Sequence, residues 1–256
     1  MMGTIKDLLL LIKLGCRRLH SEEDYRAFQA HQAVLLMEYL KSWNVWEEGQ
    51  LVLDLGSGVG GYSQQMVKWG ARVVSLDLVV AGAKFATAHS PVVANALHIP
   101  MRNETVDFVL CASLIEHVGD PVRLLNEIQR VLKKGGYCYL SFPPFYSIRG
   151  GHEFSPFHYL GERWALRLHR VLNRGRPQWV EALYKGASSA CSSGDGYSSH
   201  GLFKRTIGQV KRMIDRTTMK IIDVSPRYLF VNTALWPIVG EFLTWHVQFL
   251  LRKSAT

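Results

Sequence analysis

Residues 51–63 read LVLDLGSGVGGYS, and this stretch decides the fold. An apolar run containing Asp54 is followed by four closely spaced glycines, Gly56, Gly58, Gly60 and Gly61. This pattern is typical of a first buried strand that turns tightly into a helix, with a backbone loop that cradles a nucleotide-like ligand. We therefore predict a strand over residues 51–55 and a ligand-binding loop directly after it.

Short apolar segments and amphipathic segments alternate downstream of this loop. The pattern predicts strands at 51–55, 72–78, 91–94, 106–112, 137–142, 219–224 and 246–252, and helices at 62–69, 81–88, from 121, 161–171 and 206–216. Such alternation is typical of an α/β, doubly wound parallel sheet, whose ligands bind outside the carboxyl ends of the strands. The last strand is expected to run antiparallel beside the sixth.

A chain of 256 residues has room for one large domain with additions. We predict an N-terminal helical cap over residues 1–45 and a main domain over 46–256, which carries an insertion at about 145–203. The apolar run at 5–14 is too short to span a bilayer and is expected to be a helix packed on the domain.

The net charge of +9 favours anionic surroundings, including anionic lipid head groups. Basic residues concentrate toward the C-terminus, where Trp236, Phe242 and Trp245 also lie, so peripheral contact with an anionic membrane is one expectation. Four scattered cysteines without a CxxC pair indicate neither a zinc site nor a disulfide framework. We expect a cytoplasmic protein without a metal site.

The glycine loop alone does not identify its ligand. Gly56, Gly58 and Gly61 satisfy GxGxxG, which suits nicotinamide and flavin dinucleotides equally well. However, Asp54 precedes the first glycine by two residues, and the loop carries no Lys or Arg, which favours a ligand with an ammonium group and without phosphate. Asp77 follows about 20 residues later, where this type of fold places an acid on ribose hydroxyls.

Five ordered blocks between residues 51 and 144 carry a family resemblance: VLDLGSGVGGYS, VVSLDL, ANALHIP, VDFVLCASLIEHVGDP and LLNEIQRVLKKGGYCYLSFP. In this order and spacing they resemble the class I S-adenosylmethionine-dependent methyltransferases. They are most similar to the type 11 group, which is related to the ubiquinone and menaquinone methyltransferases. The resemblance implies a Rossmann-like, seven-stranded sheet with a reversed last strand. It also implies a cofactor, S-adenosylmethionine, that leaves as S-adenosylhomocysteine.

The resemblance also assigns residue roles. It places Asp54, Gly56, Ser57, Gly58 and Gly60 at the aminocarboxypropyl part of the cofactor. Asp77 is implied at the ribose and Leu78 at the adenine face. At the adenine, Asn95 stands where the family often has an aspartate, and Ala96 offers its backbone N–H. Cys111 completes the set of residues expected to bind the cofactor. For Asp54 and Asp77 taken singly, the capping of nearby backbone N–H groups remains an alternative.

A sulfonium methyl is already activated, so catalysis requires alignment of the acceptor and, for a hydroxyl or acidic carbon, a base. The candidates are His117, His152 and His158, with Glu116 and Glu153 as carboxylates. We expect His152 to be the base and His158 to support it, because both follow the fifth predicted strand. His117 is expected to have a structural or cofactor-proximal role. His152, His158 and Glu153 are also metal-binding residue types, but their spacing fixes no coordination geometry.

The expected acceptor is a small molecule, methylated on an oxygen of a sugar, glycolipid or other metabolite. Aromatic side chains in the segment 145–159 fit a hydrophobic quinone-like or polyketide-like acceptor equally well, for C- or O-methylation. Methylation of RNA or other nucleic acid is disfavoured, and no nucleic-acid partner is expected, because no RNA-binding domain is evident. An enzyme resembling the adenine amino-methylases would carry an Asn/Asp-Pro-Pro-aromatic motif after the fourth strand, whereas Pro143-Pro144-Phe145 follows the fifth. A non-catalytic binding module with the same fold remains an alternative.

Overall fold

The structure, a computed structural model, describes residues 5–79, 90–172, 177–178, 180, 196–229 and 231–255. The helix expected at 81–88 and most of the Ser/Gly-rich segment 187–201 lie outside these described residues.

Seven strands form one sheet. They are β1 (Leu51–Leu55), β2 (Arg72–Asp77), β3 (Ser90–Val93), β4 (Val106–Ala112), β5 (Leu132–Phe142), β6 (Met219–Pro226) and β7 (Val247–Lys253). Their spatial order is β3-β2-β1-β4-β5-β7-β6. The first five strands pair in parallel, whereas β7 is antiparallel to both β5 and β6. The expected seven-stranded Rossmann-like sheet with a reversed last strand is therefore confirmed.

The fifth strand starts earlier than the sequence pattern predicts. We expected residues 137–142, but β5 begins at Leu132, which pairs with Val106 before the register shifts. The intervening Lys-Lys-Gly-Gly stretch resembles a helix end, and Gly135 has a positive φ of 77°. The same residues here form an irregular extension of the ladder, so the helix passes into the strand without a loop.

Seven helices occur in the described part of the chain. They are α1 (Ile5–Arg17), α2 (Glu22–Ser42), α3 (Gly61–Lys68), α4 (Pro121–Val131), α5 (Glu162–Val171), α6 (Ile207–Ile214) and α7 (Val239–Leu243). Side chains cap the starts of α2 and α4: Ser21 accepts a hydrogen bond from the Asp24 N–H, and Asp120 accepts one from the Arg123 N–H. None of the described helices combines the length and the apolar character needed to cross a bilayer.

Helices cover both faces of the sheet. On one face, α4 and α6 bury Leu124, Ile128 and Val210 against the strands. On the other face, α2 and α3 bury Leu36 and Met66. This two-sided burial explains why β1 and β4 are almost continuously apolar. It also fixes the carboxyl ends of β1 to β5 along one edge, where the cavity lies.

The N-terminal helices pack on this framework rather than apart from it. Helix α1 packs on α2, and α2 packs on α3, the helix that follows the glycine loop. The His31 ring hydrogen-bonds to the backbone carbonyl of Asp7 at 3.1 Å and so ties α2 to α1. The division of the chain at residue 45 stays a prediction.

Candidate active site

A cavity of about 630 Å³ opens at the carboxyl ends of the strands. Its volume lies within the range of small-molecule sites, roughly 300–1,000 Å³. Gly56, Asp77, Ala94, Ser113 and Pro143 line it, and each lies at or just after the end of one of the first five strands. The position agrees with the general rule for doubly wound sheets.

The glycine loop adopts a backbone that requires glycine. Gly56, Gly58 and Gly60 have positive φ angles of 71°, 55° and 77°. Gly56 and Gly58 line the cavity, whereas Ser57 and Gly60 form the turn behind it, in which the Gly60 N–H donates to the Ser57 carbonyl at 2.9 Å. The loop therefore presents two of its glycines directly to a ligand.

Helix α2 holds the loop in place. The Gly61 N–H donates a hydrogen bond of 3.0 Å to Oε1 of Gln29. A Cβ atom at Gly61 would lie 2.5 Å from Cβ of Gln29 and 2.7 Å from the Arg26 carbonyl oxygen, so only glycine permits this approach. Gly61 thus allows α2 to pack closely on the loop. The GxGxxG pattern alone does not show whether a glycine serves helix packing or ligand contact.

Asp54 lies beneath the loop and is almost fully buried, with 2% of its surface exposed. Its Oδ2 accepts a hydrogen bond of 2.5 Å from the Ser63 hydroxyl. Burial raises the pKa of the Asp54 carboxyl to about 7, and the Ser63 hydrogen bond partly opposes this increase. Asp54 is not among the residues that line the cavity, so its direct contacts in this structure are to the loop and α3.

Asp77 lines the cavity at the end of β2. Its Oδ2 accepts a hydrogen bond of 2.9 Å from the Gly58 N–H, and its Oδ1 one of 3.3 Å from the Val79 N–H. Burial raises the pKa of Asp77 despite these bonds. Each carboxylate oxygen can accept a further hydrogen bond, so loop support and recognition of a diol are compatible.

The next part of the wall is formed by Leu78, Asn95 and Ala96. Oδ1 of Asn95 accepts a hydrogen bond of 2.9 Å from the Leu97 N–H, which fixes the amide within a tight turn. Cys111, in contrast, is fully buried within β4 and does not line the cavity; Ala112 and Ser113 provide the wall there. Ser113 has a positive φ of 55°, a costly conformation for a residue with a side chain.

Three candidate catalytic side chains converge in the same cavity. Glu116 and His117 belong to a short 3₁₀ helix, Ile115–His117, directly after β4, and His152 comes from the segment after β5. The His117 and His152 rings are edge-to-face with centroids 4.9 Å apart. Nε2 of His152 lies 3.9 Å from Oε1 of Glu116. His152 also has a positive φ of 50°, and such strain is concentrated at functional sites.

Glu116 and His117 are held from the opposite side by the chain around residue 202. Nδ1 of His117 lies 2.7 Å from the Gly201 carbonyl oxygen, to which it donates in the matching tautomer. The Phe203 N–H donates to the Glu116 backbone carbonyl at 2.8 Å. Burial raises the pKa of the Glu116 carboxyl to about 8, a rise that its own backbone N–H and the nearby Arg205 oppose.

His158 lies apart from this group. Its ring is buried, packs on Phe145 and is 3.2 Å from the Ser147 carbonyl through Nε2. Burial lowers the pKa of His158, and the hydrogen bond to the Ser147 carbonyl partly opposes this decrease. A Cβ at Gly151 would lie 2.4 Å from the His158 ring, so this ring packs directly against the backbone that precedes His152.

Several cavity residues were not predicted from the sequence. Helices α1 and α2 contribute Leu8, Leu11, Ile12, Phe28 and Gln29, and the C-terminal segment contributes Tyr228, Trp245 and His246. Phe28 is half-buried and lines the cavity. The apolar periodicity of α1 and α2 predicts helices but not which face a ligand would meet.

The sheet order, the glycine loop and an acid at the end of β2 are together typical of α/β folds that bind nucleotide-type cofactors. A family model described as a methyltransferase domain matches residues 53–140. Within residues 53–140 the chain is therefore similar to the methyltransferase domain family, in agreement with the resemblance to the S-adenosylmethionine-dependent methyltransferases that the sequence blocks carry.

Curated relatives are mycobacterial proteins described as uncharacterized methyltransferases. One from Mycobacterium leprae is 30% identical over 163 residues, which is 61% of this chain and 61% of the relative. One from Mycolicibacterium gilvum is 28% identical over 209 residues, 79% of this chain and 76% of the relative. The match to the M. leprae protein thus spans about three-fifths of that protein's length.

Solved structures show the same fold at low identity. A S-adenosylmethionine-dependent methyltransferase from Methanosarcina mazei is 16% identical with a TM-score of 0.55, covering 84% of this chain and 98% of the other. The geranyl diphosphate C-methyltransferase of Streptomyces coelicolor is 15% identical with a TM-score of 0.55, covering 87% and 75%. The latter structure was solved with S-adenosylhomocysteine bound.

Proposed function

We propose that this protein transfers the methyl group of S-adenosylmethionine to an oxygen atom of an acceptor that has an apolar portion. The proposal is supported mainly by one observation: the glycine loop with Asp77 and the cluster of Glu116, His117 and His152 line the same cavity. A cofactor and an acceptor bound there would meet within one enclosed space, and such proximity is the main requirement for transfer of an activated methyl group.

In this proposal the cofactor extends along the ends of β1 to β3. Gly56 and Gly58 bring backbone against its methionine part, Asp77 accepts from the ribose hydroxyls, and Leu78 and Ala96 flank the adenine. Asp54 acts beneath the loop through Ser63. The absence of Lys and Arg from residues 51–63 suits a ligand without phosphate at this loop.

The apolar part of the acceptor is expected to face α1 and α2. Leu8, Leu11 and Phe28 line the cavity, and Ile12, Leu19 and Trp245 both line it and remain 45%, 42% and 38% exposed. An apolar mouth of this kind favours a lipid-linked acceptor, such as a glycolipid, over a free sugar. A hydrophobic quinone-like or polyketide-like acceptor is the second candidate, because the same residues suit it.

We further propose that the mouth faces an anionic membrane surface. A group of exposed apolar side chains, here called the apolar patch, surrounds α7 and consists of Leu235, Trp236, Ile238, Val239, Phe242 and Leu243. Trp245 follows this patch directly and lines the cavity. Exposed aromatic and aliphatic residues in a protein with a net charge of +9 are typical of proteins that lie at an anionic bilayer interface.

If the methyl group is transferred to a hydroxyl oxygen, His152 is the proposed base that takes the hydroxyl proton. The ring lines the cavity beside Glu116, whereas His158 lies behind the segment that carries His152. His158 is therefore proposed as a positioning residue. Replacement His152→Ala should abolish most turnover while leaving cofactor affinity nearly unchanged, and unchanged turnover would contradict this role.

The activity itself can be tested with S-adenosylmethionine labelled in its methyl group. The labelled cofactor is incubated with lipid extracts and, separately, with water-soluble metabolites. We expect the lipid extracts to yield a labelled product that partitions into organic solvent. Label found only in water-soluble products would contradict the proposed acceptor class, and no label in either fraction despite cofactor binding would favour a binding module.

A further inference from the structure

The geometry points to a divalent metal site formed by Glu116, His117 and His152. One ligand atom from each of the three side chains can be chosen so that all lie within 4.8 Å of one another. Two imidazoles and one carboxylate form the donor set that first-row transition metals prefer, and Mg²⁺ and Ca²⁺ do not. The sequence spacing did not indicate this trio, because His152 is 35 residues from His117.

The carboxylate is the strongest part of the argument. Glu116 is 1% exposed, and no other residue in the described part of the chain donates a hydrogen bond to either of its carboxylate oxygens. A buried carboxylate without donors is costly, and a bound cation would offset this cost. Arg205 lies nearby, but its Nη2 donates to the backbone carbonyls of Val118 and Gly119, at 2.7 and 3.4 Å.

The orientation of His117 also suits a metal ligand. When Nδ1 carries the proton and donates to the Gly201 carbonyl, Nε2 holds the lone pair. Metal-binding histidines commonly donate their other ring N–H to a backbone carbonyl in this way, which fixes both tautomer and ring orientation. The carbonyl of Gly201 therefore acts as the outer-shell partner.

The cluster needs only a small closure to hold a cation. Ligand atoms around one tetrahedral zinc ion are about 3.3 Å apart, so the largest separation here would shorten by roughly 1.5 Å. His152 belongs to a single 3₁₀ turn, His152–Phe154, and this turn would have to make the movement. Three protein ligands leave at least one coordination position for an oxygen from the cavity, as in catalytic rather than structural sites.

The role of the cation rests on the proposed function. An acceptor hydroxyl that occupies the open position would lose its proton to water in the cavity, because a bound cation lowers the pKa of the coordinated oxygen. The oxygen then forms a bond to the methyl carbon, the carbon–sulfur bond breaks, and its electron pair stays on sulfur as the neutral thioether. With the cation bound, His152 serves as a ligand, and the proton-acceptor role proposed above for His152 applies to the metal-free site.

Metal binding is tested on the full chain, without cofactor or acceptor. After removal of metal with a chelator, Zn²⁺ is titrated in competition with a chromogenic chelator. We expect one ion per chain with a Kd at or below about 1 μM, and a weakening of about 100-fold or more in Glu116→Gln and in His152→Ala, because each removes one of three ligands. The matched control is Glu153→Gln, which removes a cavity carboxylate outside the trio and should bind as the wild type does.

Two results would overturn the metal site: no binding of Zn²⁺ to the wild type at about 100 μM, or equal binding by wild type and Glu116→Gln. Calorimetry with S-adenosylmethionine on the same samples separates the two proposals. Cofactor binding retained in Glu116→Gln shows that the variant is folded, and loss of Zn²⁺ in that sample then supports the site. Failure of the wild type to bind S-adenosylmethionine would contradict the proposed function, while the Zn²⁺ titration would still decide the metal site.

Discussion

Asp54 illustrates how one buried carboxyl couples loop structure to pH. Its folded pKa is about 7, against an ordinary value of 3.8, so the native state retains a proton that the unfolded chain releases. The free energy of unfolding should therefore fall as pH rises from about 4 to about 7, by at most about 4 kcal/mol, because one pKa unit corresponds to about 1.4 kcal/mol. The contribution of the Asp54 carboxyl to the free energy of unfolding is fully present below about pH 4 and is lost as the pH rises above about 7.

The variant Asp54→Asn tests this behaviour. An amide retains a polar contact for Ser63 but does not titrate, so the stability advantage of the wild type over the variant should shrink between pH 5 and pH 8. Denaturant unfolding of both proteins at these two pH values, without ligand, measures the difference. Parallel changes in the two free energies of unfolding would show that Asp54 does not hold a proton in the fold.

Asp77 should have a different effect, because it lines the cavity. Replacement Asp77→Ala is expected to weaken S-adenosylmethionine binding by about 10- to 100-fold, the loss expected when hydrogen bonds to a charged acceptor are removed. Asp77→Asn, whose single amide oxygen can still accept from the Gly58 N–H but not also from the Val79 N–H, should lose less than Asp77→Ala. Isothermal titration calorimetry measures both, and wild-type affinity in Asp77→Ala would exclude contact between Asp77 and the cofactor.

Residue positions that depend on local order could be predicted from the sequence. Asp77 and Asn95 line the cavity because each follows a parallel strand of the sheet. The positions of the histidines could not be predicted in the same way. His152 meets Glu116 and His158 turns inward only because of tertiary contacts within the segment after β5, for which no periodic pattern exists.

At the level of elements, helix α2 acts as a clamp on the glycine loop. The variant Gly61→Ala places a Cβ within 2.5 Å of Gln29 and 2.7 Å of the Arg26 carbonyl, so α2 must move away. We expect a loss of about 1–3 kcal/mol in stability, which is the usual cost of overpacking, together with weaker cofactor binding. Thermal denaturation and calorimetry measure the two effects.

The matched control is Gly208→Ala in α6. A Cβ there would have its nearest atom at 3.6 Å, the end of the Arg212 side chain, so the helix should be unaffected or up to about 1 kcal/mol more stable. Equal stability and cofactor affinity in Gly61→Ala and Gly208→Ala would contradict the clamp. The sequence predicted a helical cap over residues 1–45, but the contact of Gln29 in α2 with Gly61 joins residues 32 positions apart and has no local signal.

At the level of the whole molecule, the apolar patch and the cavity mouth form the expected membrane-facing side. The double variant Trp236→Ser, Phe242→Ser should reduce flotation with vesicles of phosphatidylglycerol and phosphatidylcholine by about tenfold, because the substitutions remove two exposed aromatic side chains from the membrane-facing surface. The control Val93→Ser removes an exposed apolar side chain from β3 and should float as the wild type does. This orientation would be contradicted if the wild type did not bind the vesicles, or if its binding did not depend on salt concentration.

The overall topology could be predicted because its determinants are repeated along the chain. Each of β1, β2 and β4 is an apolar run followed by a turn, and the resemblance over residues 51–144 implied the seven-stranded sheet with a reversed last strand that the structure has. The early start of β5 at Leu132 and the short helix α7 were missed, since Lys133, Lys134 and Gly135 have the composition of a helix end and α7 is only five residues long.

The central claim, that the cavity at the glycine loop binds S-adenosylmethionine, is tested most directly by calorimetric titration of the full chain with S-adenosylmethionine. We predict one site per chain with a Kd below about 1 mM, corresponding to a binding free energy stronger than about −4 kcal/mol, and a clear loss of affinity in Asp77→Ala. No binding at millimolar S-adenosylmethionine, in wild-type protein shown to be folded, would contradict the account.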